Sequence, residues 1–150
     1  MSAKESTTTS GQGMYEPKIL GFLCDACAYV GADKAGVQRT EYPPNIRIIR
    51  LMCSGRLDPM FVLRAFRTGI DGVFIAGCHL GDCHYEAGNY KALKRYTLLK
   101  RMLPQFGIDP QRLRLEWVSA AEADKFARDA TEFTVEVARL GPIGRPWEVE

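Results

Sequence analysis

Three short apolar runs, at residues 18–24, 46–53 and 72–78, each stop on a cysteine, and each is followed by a stretch able to form a helix. That alternation constrains the fold more than any other feature of the chain. A short apolar run reads as a strand buried on both faces, and strands that alternate with helices assemble into parallel sheets. The first helical stretch, 26–38, is weakened by Gly31 and Gly36 and broken by Tyr42-Pro43-Pro44-Asn45. Asp58-Pro59 offers an N-cap followed by proline at the first helical position, for a helix that runs to Thr68 and stops at Gly69. Residues 85–103 carry Leu93, Tyr96, Leu99 and Leu103 at helical spacing, and Pro104 and Gly107 end that helix. A fourth strand at 113–118 alternates only in part, as an edge strand does, and Ser119 and Glu122 beyond it have the spacing of a capping box. Phe126, Ala130, Phe133, Val137 and Leu140 then share one face of the last helix, which Gly141-Pro142 closes. Four strands alternating with four helices predict an α/β domain: a four-stranded parallel sheet with right-handed crossovers and helices on both faces, flavodoxin-like or otherwise doubly wound.

With 150 residues, 46% hydrophobic and 25% charged, the chain has the make-up of one ordinary domain, and two catalytic domains do not fit. Twenty Lys+Arg against eighteen Asp+Glu give a net charge of +2, which argues against a nucleic-acid or anionic-membrane partner. No apolar run approaches the roughly 20 residues that span a bilayer. Residues 1–16 read as a disordered, Ser/Thr-rich leader without the apolar stretch of a secretory signal, which points to a cytoplasmic protein with reduced thiols. Residues 17–141 read as the folded domain and 142–150 as an extended tail. Trp147 sits in that Pro/Gly tail with nothing local to bury it, so it is expected to dock on another subunit. There is no phosphate loop, nucleophile elbow or H-E-x-x-H pair, and both histidines abut cysteines, so no catalytic residue is predicted.

The carboxyl ends of parallel strands lie along one edge, so Cys24, Cys53 and Cys78 converge there. Cys27 follows Cys24 by three residues and Cys83 follows Cys78 by five, which brings all five thiols within reach of one pocket. Several anionic sulfurs packed together repel one another unless they share a cation. Helix N-termini at the same edge can donate N–H groups to sulfur. Four thiolates complete a 2Fe-2S centre, a 4Fe-4S centre or a structural zinc site, and spacing alone does not separate these. Zinc usually staples small irregular modules, whereas this chain has elements enough for a core. A third reading takes Cys24 and Cys27 as the reactive pair of a thiol oxidoreductase, placed after a strand at a helix opening; it leaves three cysteines unexplained. Haem attachment fails because Ala28, not histidine, follows Cys27. The competing classes are an electron-relay subunit, a zinc-stapled assembly adaptor and a thiol oxidoreductase.

Three strings carry more specific information: Gly21-Phe22-Leu23-Cys24-Asp25-Ala26-Cys27-Ala28-Tyr29-Val30-Gly31-Ala32-Asp33, Arg47-Ile48-Ile49-Arg50-Leu51-Met52-Cys53-Ser54-Gly55-Arg56, and Gly77-Cys78-His79-Leu80-Gly81-Asp82-Cys83-His84-Tyr85. Together they resemble the delta subunit of methyl-viologen-reducing hydrogenase, over about residues 17–141. The resemblance implies one 2Fe-2S cluster and a relay of electrons from a hydrogenase or formate dehydrogenase to the flavoprotein subunit of heterodisulfide reductase, in flavin-based electron bifurcation. It maps the cysteine positions of that family onto Cys24, Cys27, Cys53, Cys78 and Cys83. All-cysteine ligation of such a cluster uses four thiols. One is therefore spare, with Cys27 and Cys53 the foremost candidates: Cys27 can point along its helix, and Cys53 has no cysteine near it in sequence.

Other residues have paired readings. His79 and His84 follow cysteines and either ligate iron or donate hydrogen bonds to cluster sulfur, the second being favoured with five thiols at hand. Asp82 reads as a helix cap, and Gly77 and Gly81 as places where the backbone passes close to the site or turns. Arg50 and Arg56 flank Cys53, to offset the negative charge of a cluster, to grip the acidic rim of a partner or simply to be solvated. Lys91, Lys94, Arg95, Lys100 and Arg101 make the long helix basic, as a docking face or a wet one. Tyr85, Tyr90 and Tyr96 read as packing residues or parts of an electron path, and Met60 and Met102 as core.

Overall fold

The apolar runs form strands β1 (Ile19–Cys24), β2 (Ile46–Leu51), β3 (Gly72–Gly77) and β4 (Leu113–Trp117) in a computed structural model that describes residues 15–38, 43–81, 83 and 87–144. All pairings are parallel and the order is β2-β1-β3-β4, so β4 is an edge strand as its partial alternation predicts. The second and third strands stop short of the cysteines that end the apolar runs. Cys53 and Cys78 instead lie in the loops that follow, two residues and one residue past the strand, where a side chain is free of the pleat's alternation.

Between the strands lie helices α1 (Ala28–Val37), α2 (Pro59–Arg67), α3 (Gly88–Met102) and α4 (Ala123–Leu140). The first begins two residues later than its sequence pattern because Cys27 occupies the cap position, and the Ala28 N–H donates to Cys24 Sγ at 3.4 Å. Asp58 caps α2 as expected, accepting the Met60 N–H at 2.9 Å with Pro59 next in line. The start expected for the long helix at Tyr85 falls outside the described residues. Before α4 half of the capping box forms: the Ser119 N–H donates to the Glu122 carboxylate at 2.9 Å, while Ser119 Oγ accepts from Ala121.

Every residue of β3 is buried, which requires cover on both faces. On one side Phe74 and Ala76 meet Ala28, Ala32 and Ala35 of α1 and Phe126, Ala130, Phe133 and Val137 of α4. The Phe74 ring lies 6.2 Å from that of Phe126 and 5.7 Å from that of Phe133. Each such fully buried ring contributes about 1.5–3 kcal/mol. On the other side Val73 and Ile75 meet Val62, Ala65 and Phe66 of α2 and Leu99 of α3. Met60 is a correction to the expected core: it is 56% exposed because it falls off the α2 stripe of Val62, Ala65 and Phe66. Met102 is half-buried.

At the amino edge of the sheet, buried Arg112 donates to the carbonyls of Asp71 at 3.0 Å and Gly141 at 2.8 Å. The Asp71 carboxylate in turn accepts the N–H groups of Lys18 at 2.9 Å and Ile143 at 3.0 Å. These bonds tie the end of α4 to the sheet, and Ile143 packs on the core beside α2 and α3. The carboxyl edge is left to the cysteines. Among the described residues no helix is long and apolar enough to cross a membrane.

Candidate metal centre

Parallel neighbours β1 and β3 deliver Cys24 and Cys78 to the same crevice, where the direction of the crossovers reverses. Their sulfurs are 3.6 Å apart. Cys27 joins them, the three Sγ atoms lying within 4.8 Å of one another. Cys53, two residues past β2, stands with its Sγ 3.7 Å from that of Cys83. Thus the residue that lacked a cysteine neighbour in sequence has one in space. The two groups adjoin, since Cys27 senses the charge of Cys83, and Cys53 that of Cys24. Cys24, Cys53 and Cys78 are buried, Cys27 and Cys83 half-buried, and none is in a disulfide.

Burial dominates the electrostatics. It pushes the Cys24 thiol up to about 11, with nearby Cys78 adding to the rise and the Ala28 N–H opposing it. Burial likewise pushes Cys27 and Cys53 up. These thiols ionise only when a cation compensates the charge. Two thiolates on one tetrahedral metal, with bonds of about 2.3 Å, stand about 3.8 Å apart. The 3.6 and 3.7 Å contacts fit that spacing, and the triad of Cys24, Cys27 and Cys78 can also surround a single ion.

The amino end of α3 braces the cysteine loops. Asn89 is fully buried, and its Nδ2 donates to the carbonyls of Cys78 at 3.1 Å and His79 at 2.7 Å. A Cβ on Gly88 would stand 2.1 Å from Cys53 Sγ and 3.2 Å from Cys83 Sγ, so only glycine leaves the sulfurs their room. Arg95 donates to the carbonyls of Gly55 and, at 2.9 Å, Leu57, which holds the short turn Ser54–Arg56. Sequence reasoning missed Gly88 and Asn89; the only trace was a polar residue inside the first turn of a helix.

The remaining candidates separate. His79 Nε2 is hydrogen-bonded to the Glu122 carboxylate, and that bond, with the Ser119 N–H, holds the Glu122 carboxyl down at about 2. Gly77 does lie at a close approach, its hypothetical Cβ 2.9 Å from Ser54 Oγ, while Gly81 with φ of 92° makes a turn. Arg50 pairs with Asp25 at 3.4 Å and lies over the Tyr29 ring. Of the five basic residues on α3, Arg95 and Lys100 are spent on carbonyls, leaving Lys91, Lys94 and Arg101 exposed. Tyr90 is exposed and Tyr96 packs against the core. A cavity of about 390 Å³ lined by Met52, Cys53, Gly55, Arg56, Gly88 and Lys91 opens on the site. His84, Asp82, Tyr85 and Trp147 lie outside the described residues.

Comparison with known proteins bears on what this centre serves. The family model described as methyl-viologen-reducing hydrogenase, delta subunit, matches residues 19–141. The chain is 54% identical over 128 residues to the vhc iron-sulfur subunit of the F420-non-reducing hydrogenase of Methanococcus voltae, covering 85% of this chain and 89% of that one. It is 50% identical over 129 residues to the iron-sulfur subunit of the F420-non-reducing hydrogenase of Archaeoglobus profundus, covering 86% and 94%. Against one subunit of the ferredoxin:CoB-CoM heterodisulfide reductase of Methanosarcina mazei it is 49% identical over 128 residues, covering 85% of this chain and 16% of that larger one.

Proposed function

The chain belongs to the family of the methyl-viologen-reducing hydrogenase delta subunit, and from that premise we propose that it holds one 2Fe-2S cluster and relays electrons between larger redox subunits in the cytoplasm. The donor in this reading is a hydrogenase or formate dehydrogenase, the acceptor is the flavoprotein subunit of heterodisulfide reductase, and the setting is flavin-based electron bifurcation. The pair of sulfur contacts at 3.6 and 3.7 Å carries the reading. Two tetrahedral irons each require two thiolates at about that spacing. Accordingly Cys24 and Cys78 serve one iron, Cys53 and Cys83 the other, and Cys27 is the fifth thiol beside them. Bound there, the cluster supplies one-electron chemistry with its potential set by burial and by hydrogen bonds to sulfur.

The chain's own residues set those conditions. The N–H groups of Ala28 and Gly55 donate to Cys24 and Cys53 Sγ, each at 3.4 Å, and so reduce the negative charge on the sulfurs. Asn89 fixes the loop that carries Cys78, and Glu122 fixes the His79 ring. Two Methanosarcina relatives contain the matching stretch within a heterodisulfide reductase polypeptide itself, which supports that enzyme as a neighbour. A thiol oxidoreductase acting through Cys24 and Cys27 is disfavoured, because a reactive thiol needs a lowered pKa and burial drives Cys24 the other way.

Iron and sulfide analysis of anaerobically purified protein tests the cluster, with about two irons and two labile sulfides expected per chain. Zinc without labile sulfide would overturn it in favour of the zinc-stapled adaptor. The relay is tested by following hydrogen- or formate-driven flavin reduction in the reconstituted complex. An equal rate when this chain is left out would exclude the relay.

A further inference from the structure

We infer that the opening over Cys53, rimmed by Met52, Arg56 and Lys91, is the surface on which the electron-accepting protein of the relay docks through its carboxylates. The inference rests on the relay reading and adds the side of the domain by which the cysteine group is approached. Cys24 and Cys78 are only 2% and 3% exposed, and the first turn of α1 and the bonds of Asn89 fix their surroundings. Cys53 instead forms part of the wall of the 390 Å³ cavity, together with Gly55 and Gly88, which present no side chain to an incoming group.

Charge and apolar contact are both present at the rim. Arg56 comes from the turn after β2 and Lys91 from α3, yet both line the same cavity, and neither forms an ion pair among the described residues. By contrast Arg50 and Arg114, elsewhere on the sheet, have carboxylate partners within the chain. Met52 is 60% exposed and offers an unbranched side chain that adapts to an apolar neighbour. Two uncompensated cations beside an adaptable methionine suit an acidic protein face with some apolar area. Redox encounters use small interfaces of this kind, in which complementary charge governs association.

The test uses the full chain carrying its cluster, and purified heterodisulfide reductase as the probe. Binding is measured by interferometry at ionic strengths of about 0.05 and 0.5 M, on either side of the range where surface charges are screened. The double reversal Arg56→Glu/Lys91→Glu is expected to weaken binding at least about tenfold at low salt, with the difference shrinking at high salt. Arg56→Gln/Lys91→Gln gives a smaller loss and serves if the reversal impairs folding. Reversals on exposed α4 positions, Arg128→Glu and Arg139→Glu, are expected to leave binding unchanged, and cluster absorbance per chain reports integrity. Wild-type binding by both double variants at low salt, or equal weakening by the α4 reversals, overturns the inference. Should wild-type protein bind without passing electrons while the reversal still weakens binding, the relay reading fails and the docking surface stands.

Discussion

Cys24 and Cys78 are 54 positions apart in sequence, and their sulfurs stand 3.6 Å apart. The sheet enforces this, because β1 and β3 are paired up to Leu23 and Ala76 and both cysteines leave the ladder within two residues of that pair. Strand spacing of about 4.8 Å is fixed by backbone hydrogen bonds, so the pair is presented without help from a ligand. Cys83 reaches Cys53 by a different route, across the amino end of α3.

Single replacement by serine separates the ligands proposed above from the fifth thiol. Cys24→Ser, Cys53→Ser, Cys78→Ser and Cys83→Ser are each expected to lose the visible absorption and the reduced-state paramagnetic signal of the cluster, whereas Cys27→Ser keeps both. A full signal in two or more variants, or its loss in Cys27→Ser, would show the ligand set to be wrong.

Gly88→Ala tests the packing between α3 and the sulfurs. The added methyl would lie 2.1 Å from Cys53 Sγ, so the Cys53 side chain must turn away. Iron content is expected to fall by more than about half, because a close-packed site has no slack to absorb a methyl group. Circular dichroism should be unchanged, since Gly88 is in the first turn and alanine favours helix. Normal iron loading would mean that α3 does not hold Cys53 in place.

Proton release follows from the raised thiols. A thiol pushed up to about 11, as at Cys24, is neutral at pH 7, and a metal that binds the thiolate must displace its proton. Affinity for a divalent probe such as Co²⁺ therefore rises with pH, by up to tenfold per pH unit for each proton released, and the gain ends only as pH passes the thiol pKa. Titration of the cluster-free chain from pH 6 to 8.5 should show that rise, and a weakly buffered sample should acidify on addition of Co²⁺. A flat profile would mean that the thiols are already ionised.

Asn89 is the least conspicuous part of the centre in sequence and structurally among the most committed. Asn89→Ala leaves two carbonyls without their donor, at a cost of about 1–3 kcal/mol. For a domain of this size that lowers Tm by roughly 2–12 °C. Asn89→Asp keeps the shape but offers no N–H, so calorimetry should show at least as large a loss. Wild-type stability in both would assign the carbonyls another partner.

The fold was legible because each strand declared itself locally: the fully apolar β3 demands cover on both faces, and Cys24, Cys53 and Cys78 each lie at or within two residues of a strand end. Alternation of strands and helices predicts the parallel sheet, but the order β2-β1-β3-β4 that brings Cys24 beside Cys78 is seen only in the structure. What was illegible depends on contacts between elements that no spacing encodes. Nothing local pairs His79 with Glu122, 43 positions away, or sends Arg95 to the Gly55 carbonyl across 40. The basic residues of α3 were only partly legible for the same reason, since Arg95 and Lys100 look like surface charge until their carbonyl partners are seen.

Arg112 provides the converse test, at the sheet edge away from the cysteines. Its guanidinium is buried and donates to Asp71 and Gly141, which links β4, the loop before β3 and the end of α4. Arg112→Met fills similar volume but leaves those buried carbonyls without a donor, a loss of about 3 kcal/mol. At roughly 2–4 °C per kcal/mol for a domain of this size, Tm falls by about 6–12 °C. No cysteine touches this latch, so iron content and cluster absorbance below the transition should match wild type. Gly88→Ala should behave in the opposite way, with iron lost and the fold kept. If Arg112→Met instead loses iron while staying folded, the two edges of the sheet are coupled and the cysteine end is not held by α3 and the strand exits alone.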